Sequence, residues 1–291
     1  MLVDMDLKPK KVFGFGLTYP GHIAETQCGY SPGKIPPIFK KGIIALNPSH
    51  DTVYLPTHAQ IISALEKLEP GIDTKIKEEY GDIEIPPMVD YEVELAMVLL
   101  ENVAWEKLPD ENYMPAVGYF LANDISARSL AVIGEGMNNR YDYWGASKSF
   151  PGFLPLGKKV WVPDVPQANA TFCTILTTKV NGEIRQQQTT EKLLYTPKEM
   201  LSFIYTGYNS DLPMKGDIIL TGTPSGVALQ VPKWKRCLAN FFGIGRFTKL
   251  AKLIEVEKDG KLFFLKDGDR VEISGGVLGS ISVAIRDTKI D

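Results

Sequence analysis

The segment Val89-Asp90-Tyr91-Glu92-Val93-Glu94-Leu95-Ala96-Met97-Val98-Leu99-Leu100 constrains this chain more than any other. Apolar and β-branched residues dominate it, and a strand over Tyr91–Leu100 is the expected conformation. Successive side chains of a strand point to opposite faces, so Glu92 and Glu94 stand side by side, about 7 Å apart at the backbone. Two ionised carboxylates on a buried face repel each other and lose their hydration. A divalent cation relieves both costs, and hard oxygen donors suit magnesium, manganese or calcium. The plainer alternative is a solvated face at a sheet edge. This segment alone leaves both open.

A second acid lies downstream, in Gly118-Tyr119-Phe120-Leu121-Ala122-Asn123-Asp124-Ile125-Ser126-Ala127-Arg128. A strand is expected over Ala116–Asn123, and Asp124 sits at its end. It can cap a following helix through its side chain. It can equally complete a three-carboxylate site with positions open to water and substrate. Spacing does not decide.

Around these segments, glycine and proline punctuate short β-branched and aromatic runs. Further strands are expected over Lys11–Gly16, Ala170–Val180, Asp217–Thr221, Arg270–Ile273 and Ser280–Ile285. Asn181-Gly182 is a strong two-residue hairpin signal. Helices are expected over Ala59–Leu68, where Ile61, Ile62, Leu65 and Leu68 share a face, and over Pro197–Tyr205. The second opens with a capping box of Thr196 and Glu199, and with Pro197 at its first position. The coarse expectation is an α+β, β-rich fold with few helices.

The 291 residues suffice for one large domain with a small appendage, and a net charge of -3 gives no reason to expect nucleic acid or a membrane. Cys28, Cys173 and Cys237 lie far apart, which favours reduced thiols in a cytoplasmic setting. Met1–Lys11 has no apolar stretch of the signal-peptide kind. No apolar run approaches the roughly 20 residues that span a bilayer. Gly14-Phe15-Gly16 lacks the third glycine of a dinucleotide fingerprint, and neither a phosphate loop nor a serine-hydrolase elbow occurs.

Taken in order, the motifs resemble those of the fumarylacetoacetate hydrolase family, in its branch of bacterial-type 2-oxo acid hydrolases and isomerases. Tyr91-Glu92-Val93-Glu94-Leu95 resembles the family's Glu-x-Glu-Leu metal strand, and Asn123-Asp124-Ile125-Ser126-Ala127-Arg128 its Asn-Asp-x-Ser-Ala-Arg motif. Lys148-Ser149-Phe150 with Pro155-Leu156-Gly157 resembles the segment that carries an active-site lysine. Asn181-Gly182-Glu183-Ile184-Arg185-Gln186 with Thr190 resembles the hairpin that follows. Gly216-Asp217, then Thr221-Gly222-Thr223-Pro224-Ser225-Gly226-Val227, and finally Gly268-Asp269 resemble the last signatures.

The resemblance implies a mixed β-sheet roll, a homodimer, and a metal held by Glu92, Glu94 and Asp124. Magnesium is the expected cofactor, with manganese or calcium possible, and a small 2-oxo acid the expected partner. In the family the metal chelates the substrate's 1-carboxylate and 2-oxo group, which favours an enolate. Lys148 would add positive charge there; its plainer reading is a surface lysine. Tyr19, Arg128 and Thr223 are the implied substrate-binding residues, although the Thr223 segment can also be a glycine-rich turn needed only for shape.

Thr18-Tyr19-Pro20-Gly21-His22-Ile23-Ala24-Glu25 resembles the family's Tyr-x-x-His-x-x-Glu segment. Positions i and i+3 of a short helix share a face, so Glu25 can orient the imidazole of His22. The resemblance makes this pair catalytic with Lys148. His50 and His58 read as structural or exposed. Three departures alter the substrate-facing shell: Thr18 and Pro20 around Tyr19, Ser129-Leu130-Ala131 after Arg128, and Pro151 after Lys-Ser-Phe.

The leading expectation is metal-dependent hydrolysis of a C–C bond in an acylpyruvate or other 2,4-dioxo acid. The alternative is isomerisation, tautomerisation or decarboxylation of a 2-oxo diacid, of the oxaloacetate or 2-hydroxyhepta-2,4-diene-1,7-dioate type. A non-catalytic, metal-stabilised module is the second alternative, which Ser129–Ala131 mildly favours. The expected organisation is a small N-terminal part over 1–56, an insertion over 57–85, and a catalytic roll over 86–291. Within the roll, 230–261 reads as a second insertion. It mixes Trp234, Phe241, Phe242 and Phe247 with basic residues, and Gly243 and Gly245 interrupt any long helix. A lid or dimer contact is preferred there over a membrane surface.

Overall fold

Two adjacent strands set the frame: β6 (Val93–Leu99) and β7 (Val117–Asn123), buried along their whole length. A computed structural model describes residues 1–26, 35–47, 51–164, 171–229 and 245–288 of the chain. β6 and β7 pair antiparallel, with Glu94 opposite Ala122 and Val93 opposite Asn123. Strands covered on both faces read as continuous apolar runs, as these do.

The other described strands are β1 (Leu2–Asp4), β2 (Val12–Phe15), β3 (Ile38–Lys41), β4 (Thr52–Leu55), β5 (Val89–Asp90), β8 (Ser126–Ala127), β9 (Lys159–Trp161), β10 (Ile175–Val180), β11 (Glu183–Thr189), β12 (Ile218–Leu220), β13 (Arg270–Ser274) and β14 (Ser280–Asp287). A seven-stranded sheet runs β1-β9-β7-β6-β12-β2-β3, a five-stranded one β11-β10-β13-β14-β4, and β5 pairs with β8. β12–β2 and β14–β4 are parallel and the other ladders antiparallel, so both large sheets are mixed. β10 and β13 pack against β6 and β7, closing the two sheets on one core.

Seven helices are described: α1 (Pro20–Thr26), α2 (His58–Leu68), α3 (Ile72–Tyr80), α4 (Arg128–Ile133), α5 (Arg140–Ser147), α6 (Pro197–Gly207) and α7 (Arg246–Lys258). The α+β roll expected from sequence is what forms, with helices beyond those that capping and periodicity reveal. The expected capping box of Thr196 with Glu199 opens α6, and a second, of Thr57 with Gln60, opens α2. Asn181 (φ 52°) and Gly182 (φ 86°) form the expected tight hairpin turn.

Three expectations need correcting. The strand over Tyr91–Leu100 breaks at Glu92, because the Asn123 side chain takes the Glu92 N–H and the Asp124 N–H takes its carbonyl. The strand expected over 170–180 is short, beginning at Ile175. Within 230–261 a helix not expected from sequence, α7, begins directly after Gly245, and its first residue Arg246 bonds Glu69 on the α2–α3 corner. Segment 57–85 supplies α2 and α3 and buries Ile61, Leu65, Ile72, Ile76 and Ile85 in the common core. Phe247 packs against that core, whereas Cys28, His50, Trp234, Cys237, Phe241 and Phe242 lie outside the described residues. His58 is structural: its Nδ1 accepts the Ile85 N–H at 3.0 Å.

Candidate metal centre

The β6–β7 register brings the acids together. Because Asp124 N–H binds the Glu92 carbonyl at 2.9 Å, the two chain ends beside the ladder close on each other. Ligand oxygens of Glu92, Glu94 and Asp124 lie within 4.8 Å of one another, all buried. This buried Glu-Glu-Asp group can hold a divalent metal, and the solvated-edge alternative falls with it.

Cations surround the group unequally. Lys148, at the end of α5, donates to Glu92 Oε2 and Asp124 Oδ2 at 2.6 Å each, and to Ser126 Oγ at 2.8 Å. It is no surface lysine. Burial would lower its ammonium, but Asp124 and Glu92 outweigh that and hold it above its ordinary value. Arg128 donates to Asp90 Oδ2 at 2.7 Å and to Glu92 Oε1. Asp90 in turn accepts the Ala228 N–H at 2.8 Å.

Glu94 is different. It accepts the Gly222 N–H at 2.7 Å, and among the described residues no lysine or arginine pairs with it. Burial, then the charge of Asp124, pushes its carboxyl well above the usual carboxylate range. Burial acts likewise on Glu92, but Arg128 and Lys148 reverse it and hold that carboxyl below its ordinary value. A cluster of three hard oxygen donors with one acid left uncompensated fits a divalent cation and leaves an isolated carboxylate unexplained.

Lys41, on β3, escaped the sequence reading. Its side chain is fully buried and donates to Asp124 Oδ1 at 2.7 Å, Phe153 O at 2.8 Å and Ile125 O at 3.2 Å. Burial brings its ammonium down to about 8, and Asp124 opposes the fall. Nothing local marks it out from Lys40, its exposed neighbour. The only signal is position: β3 reads Ile38-Phe39-Lys40-Lys41, with Lys41 buried at the end of an otherwise apolar strand.

The N-terminal candidates arrive on α1. His22 is buried, and its Nδ1 lies 3.9 Å from Glu25 Oε2. Both Glu25 oxygens accept the Gly226 N–H, at 3.1 and 3.0 Å, tying α1 to the loop after β12. Tyr19 is buried too, and its hydroxyl has no hydrogen-bond partner among the described residues. Thr223 Oγ1 donates to Val93 O at 3.0 Å and accepts from Gln186 at 2.9 Å, so its hydroxyl holds the loop. Gly222 (φ +95°) and Gly226 (φ +100°) are required there, since a Cβ would meet Thr18 Oγ1 and Arg185 O at 2.1 Å each. Shape is thus part of that signature's meaning.

Two departures from the family's motifs prove structural. Thr18 Oγ1 donates to Thr221 O at 2.7 Å, and Ser129 Oγ donates to Pro87 O at 3.2 Å. Two other signatures are turn chemistry. Asp217 accepts the N–H groups of Lys10 and Lys11, and Asp269 those of Lys266 and the Asn181 amide.

A mixed-sheet roll with a buried triad of acids beside fixed cations is an α+β architecture that can hold a divalent metal. The chain belongs to the fumarylacetoacetate hydrolase family: the family model described as fumarylacetoacetate (FAA) hydrolase C-terminal matches residues 11–286. Family members are enzymes, among them a hydrolase, an isomerase and tautomerases. An uncharacterised protein of Methanocaldococcus jannaschii is 30% identical over 76% of this chain and 75% of its own. The mitochondrial oxaloacetate tautomerase FAHD2A of Bos taurus is 29% identical over 76% of this chain, a match spanning 58% of the bovine protein. Among solved structures, 5-carboxymethyl-2-hydroxymuconate delta-isomerase from Mycobacterium smegmatis aligns with a TM-score of 0.58 at 23% identity, covering 99% of this chain and 83% of that one. Fumarylpyruvate hydrolase from Pseudomonas aeruginosa, in complex with Mn2+ and pyruvate, aligns with a TM-score of 0.58 at 19% identity, covering 98% and 93%. No helix among the described residues is long and apolar enough to cross a membrane.

Proposed function

We propose that this chain catalyses proton transfer beside the carbonyl of a small 2-oxo acid, with keto–enol tautomerisation as the net reaction. The observation that carries the reading is Lys148, whose ammonium touches Glu92 and Asp124 at 2.6 Å each. A fixed positive charge beside the acid triad suits an oxygen that gains negative charge as a neighbouring C–H proton leaves. Glu92, Glu94 and Asp124 would hold a divalent cation, magnesium by preference, which supplies Lewis-acid chemistry to the substrate's carboxylate and 2-oxo oxygens.

The chain's own residues do the rest. Tyr19 offers its unpartnered hydroxyl to the substrate carboxylate. Arg128 holds Glu92 in place, and Thr223 holds the loop whose Gly222 N–H fixes Glu94. His22 carries the proton at the carbon, and Glu25, anchored on Gly226, orients the imidazole. Oxaloacetate tautomerases among the relatives most similar in sequence support this net reaction over C–C hydrolysis.

Hydrolysis of a 2,4-dioxo acid is the second reading. The His22–Glu25 pair favours it, because an imidazole backed by a carboxylate can equally polarise water. Side-by-side assays with enol-oxaloacetate and acetylpyruvate, with magnesium and with chelator, test both. Magnesium-dependent conversion of enol-oxaloacetate with little acetylpyruvate cleavage is expected; the reverse preference establishes the hydrolase. His22→Ala should leave magnesium affinity intact while cutting turnover about 10²- to 10⁴-fold. An unchanged rate would make the pair structural. A metal site with no turnover of either substrate would leave only a stabilising role.

A further inference from the structure

The hairpin β10–β11 carries an irregularity beside the site. Thr178 pairs with Gln186, but Lys179 pairs with Ile184, so Arg185 is the extra residue of a β-bulge. Bulges re-aim a side chain and recur next to active sites. Gln186, the next residue, accepts the Val93 N–H at 3.1 Å and donates to Thr223 at 2.9 Å. The bulge therefore stands directly against the strand and loop that hold Glu92, Glu94 and Gly222.

Arg185 itself is largely buried and only partly used. Its guanidinium lies over the Phe263 ring at 4.4 Å and bonds Glu183 Oε2 at 2.8 Å, a carboxylate whose side chain is 72% exposed. Its Nε is buried with no hydrogen-bond partner among the described residues. Gly226 packs on the Arg185 carbonyl and gives its N–H to Glu25.

We propose that Arg185 is a specificity-determining residue that binds a second anionic group, the distal carboxylate of a 2-oxo diacid, in place of Glu183. The aromatic ring fixes the plane of the guanidinium and leaves its edge for bidentate pairing with a carboxylate. A surface glutamate is a weak competitor, since an exposed ion pair contributes little. The assignment rests on the 2-oxo acid reading above and selects diacids over mono-acids within it.

Two stable probes share an oxo-acid head and differ at the far end: N-oxalylglycine carries the second carboxylate and N-ethyloxamate does not. Calorimetry on the manganese-loaded protein should show Arg185→Met weakening N-oxalylglycine at least tenfold and leaving N-ethyloxamate unchanged. Glu183→Gln, which removes the competitor without touching the core, should tighten N-oxalylglycine two- to threefold. Equal loss for both probes, or no loss for either, overturns the role of Arg185 and leaves the oxo-acid site standing. Failure of both probes to bind the unaltered protein overturns the oxo-acid reading and this assignment with it.

Discussion

Two charge clusters in this molecule, one partly solvated and one buried, look alike at first and are built to opposite ends. Glu69, on the corner between α2 and α3, meets Lys75 at 2.8 Å, Arg246 of α7 at 2.6 Å and the Tyr143 hydroxyl of α5 at 3.0 Å. One acid faces two cations and a neutral donor. At the other cluster Asp90, Glu92, Glu94 and Asp124 face Lys41, Arg128 and Lys148, and Glu94 has no cationic partner among the described residues. The first cluster is complete and staples helices together. The second has negative charge in excess at one acid, the condition for holding a metal ion. Burial and carboxylates alone do not distinguish a staple from a site; the balance of charge does.

The largest test of that contrast removes a ligand. Glu92→Ala or Asp124→Ala should abolish magnesium binding in calorimetry and lower turnover by about 10³-fold or more. Undiminished magnesium affinity in either variant would remove the metal assignment. Lys41 comes next. Lys41→Met leaves Asp124 without one of its two lysines, and should cost about 3–5 kcal/mol of stability and about 10- to 100-fold in metal affinity. Denaturant melts and manganese titration read the two effects separately; a loss of stability with full affinity would make Lys41 a core residue only.

Smaller effects should carry opposite signs in the two clusters. Burial would raise the Glu69 carboxyl, but hydrogen bonds from Lys75, Arg246 and Tyr143 bring it down to about 2. A depressed folded value means that this stabilisation is present above the ordinary 4.5 and is lost as pH falls toward 2. Glu69→Gln should therefore destabilise by about 2 kcal/mol at neutral pH, allowing for screening at a partly solvated group, with the gap closing in acid. Urea midpoints across that range measure it, and a pH-independent gap would contradict the ion-pair account. Glu94→Gln should instead stabilise the chelator-treated protein by about 1 kcal/mol, because it removes a buried acid that has no cationic partner among the described residues. It should also erase the stabilisation that magnesium confers. If Glu94→Gln melts lower than the unaltered protein in chelator, the two clusters are not opposites.

Much of the fold was legible because its signals are local. The capping box at Thr196, the apolar face of α2, the Asn181-Gly182 turn and the apolar runs of β6 and β7 act within a few residues, so reading along the chain finds them. α3, α4, α5 and α7 were not found. Their stability comes from contacts far away in sequence, such as Arg246 on Glu69, rather than from caps. The same division runs through the site. Glu92, Glu94 and Asp124 announce themselves as acids in apolar surroundings, and chain order alone nominates them. Which cations oppose them is set by the assembled sheets and helices: Lys41 and Lys148 reach Asp124 from β3 and the end of α5, 83 and 24 residues away. Electrostatic balance depends on distances of a few ångströms between segments that the chain order keeps apart, so it is a property of the assembled fold and of no single stretch of it.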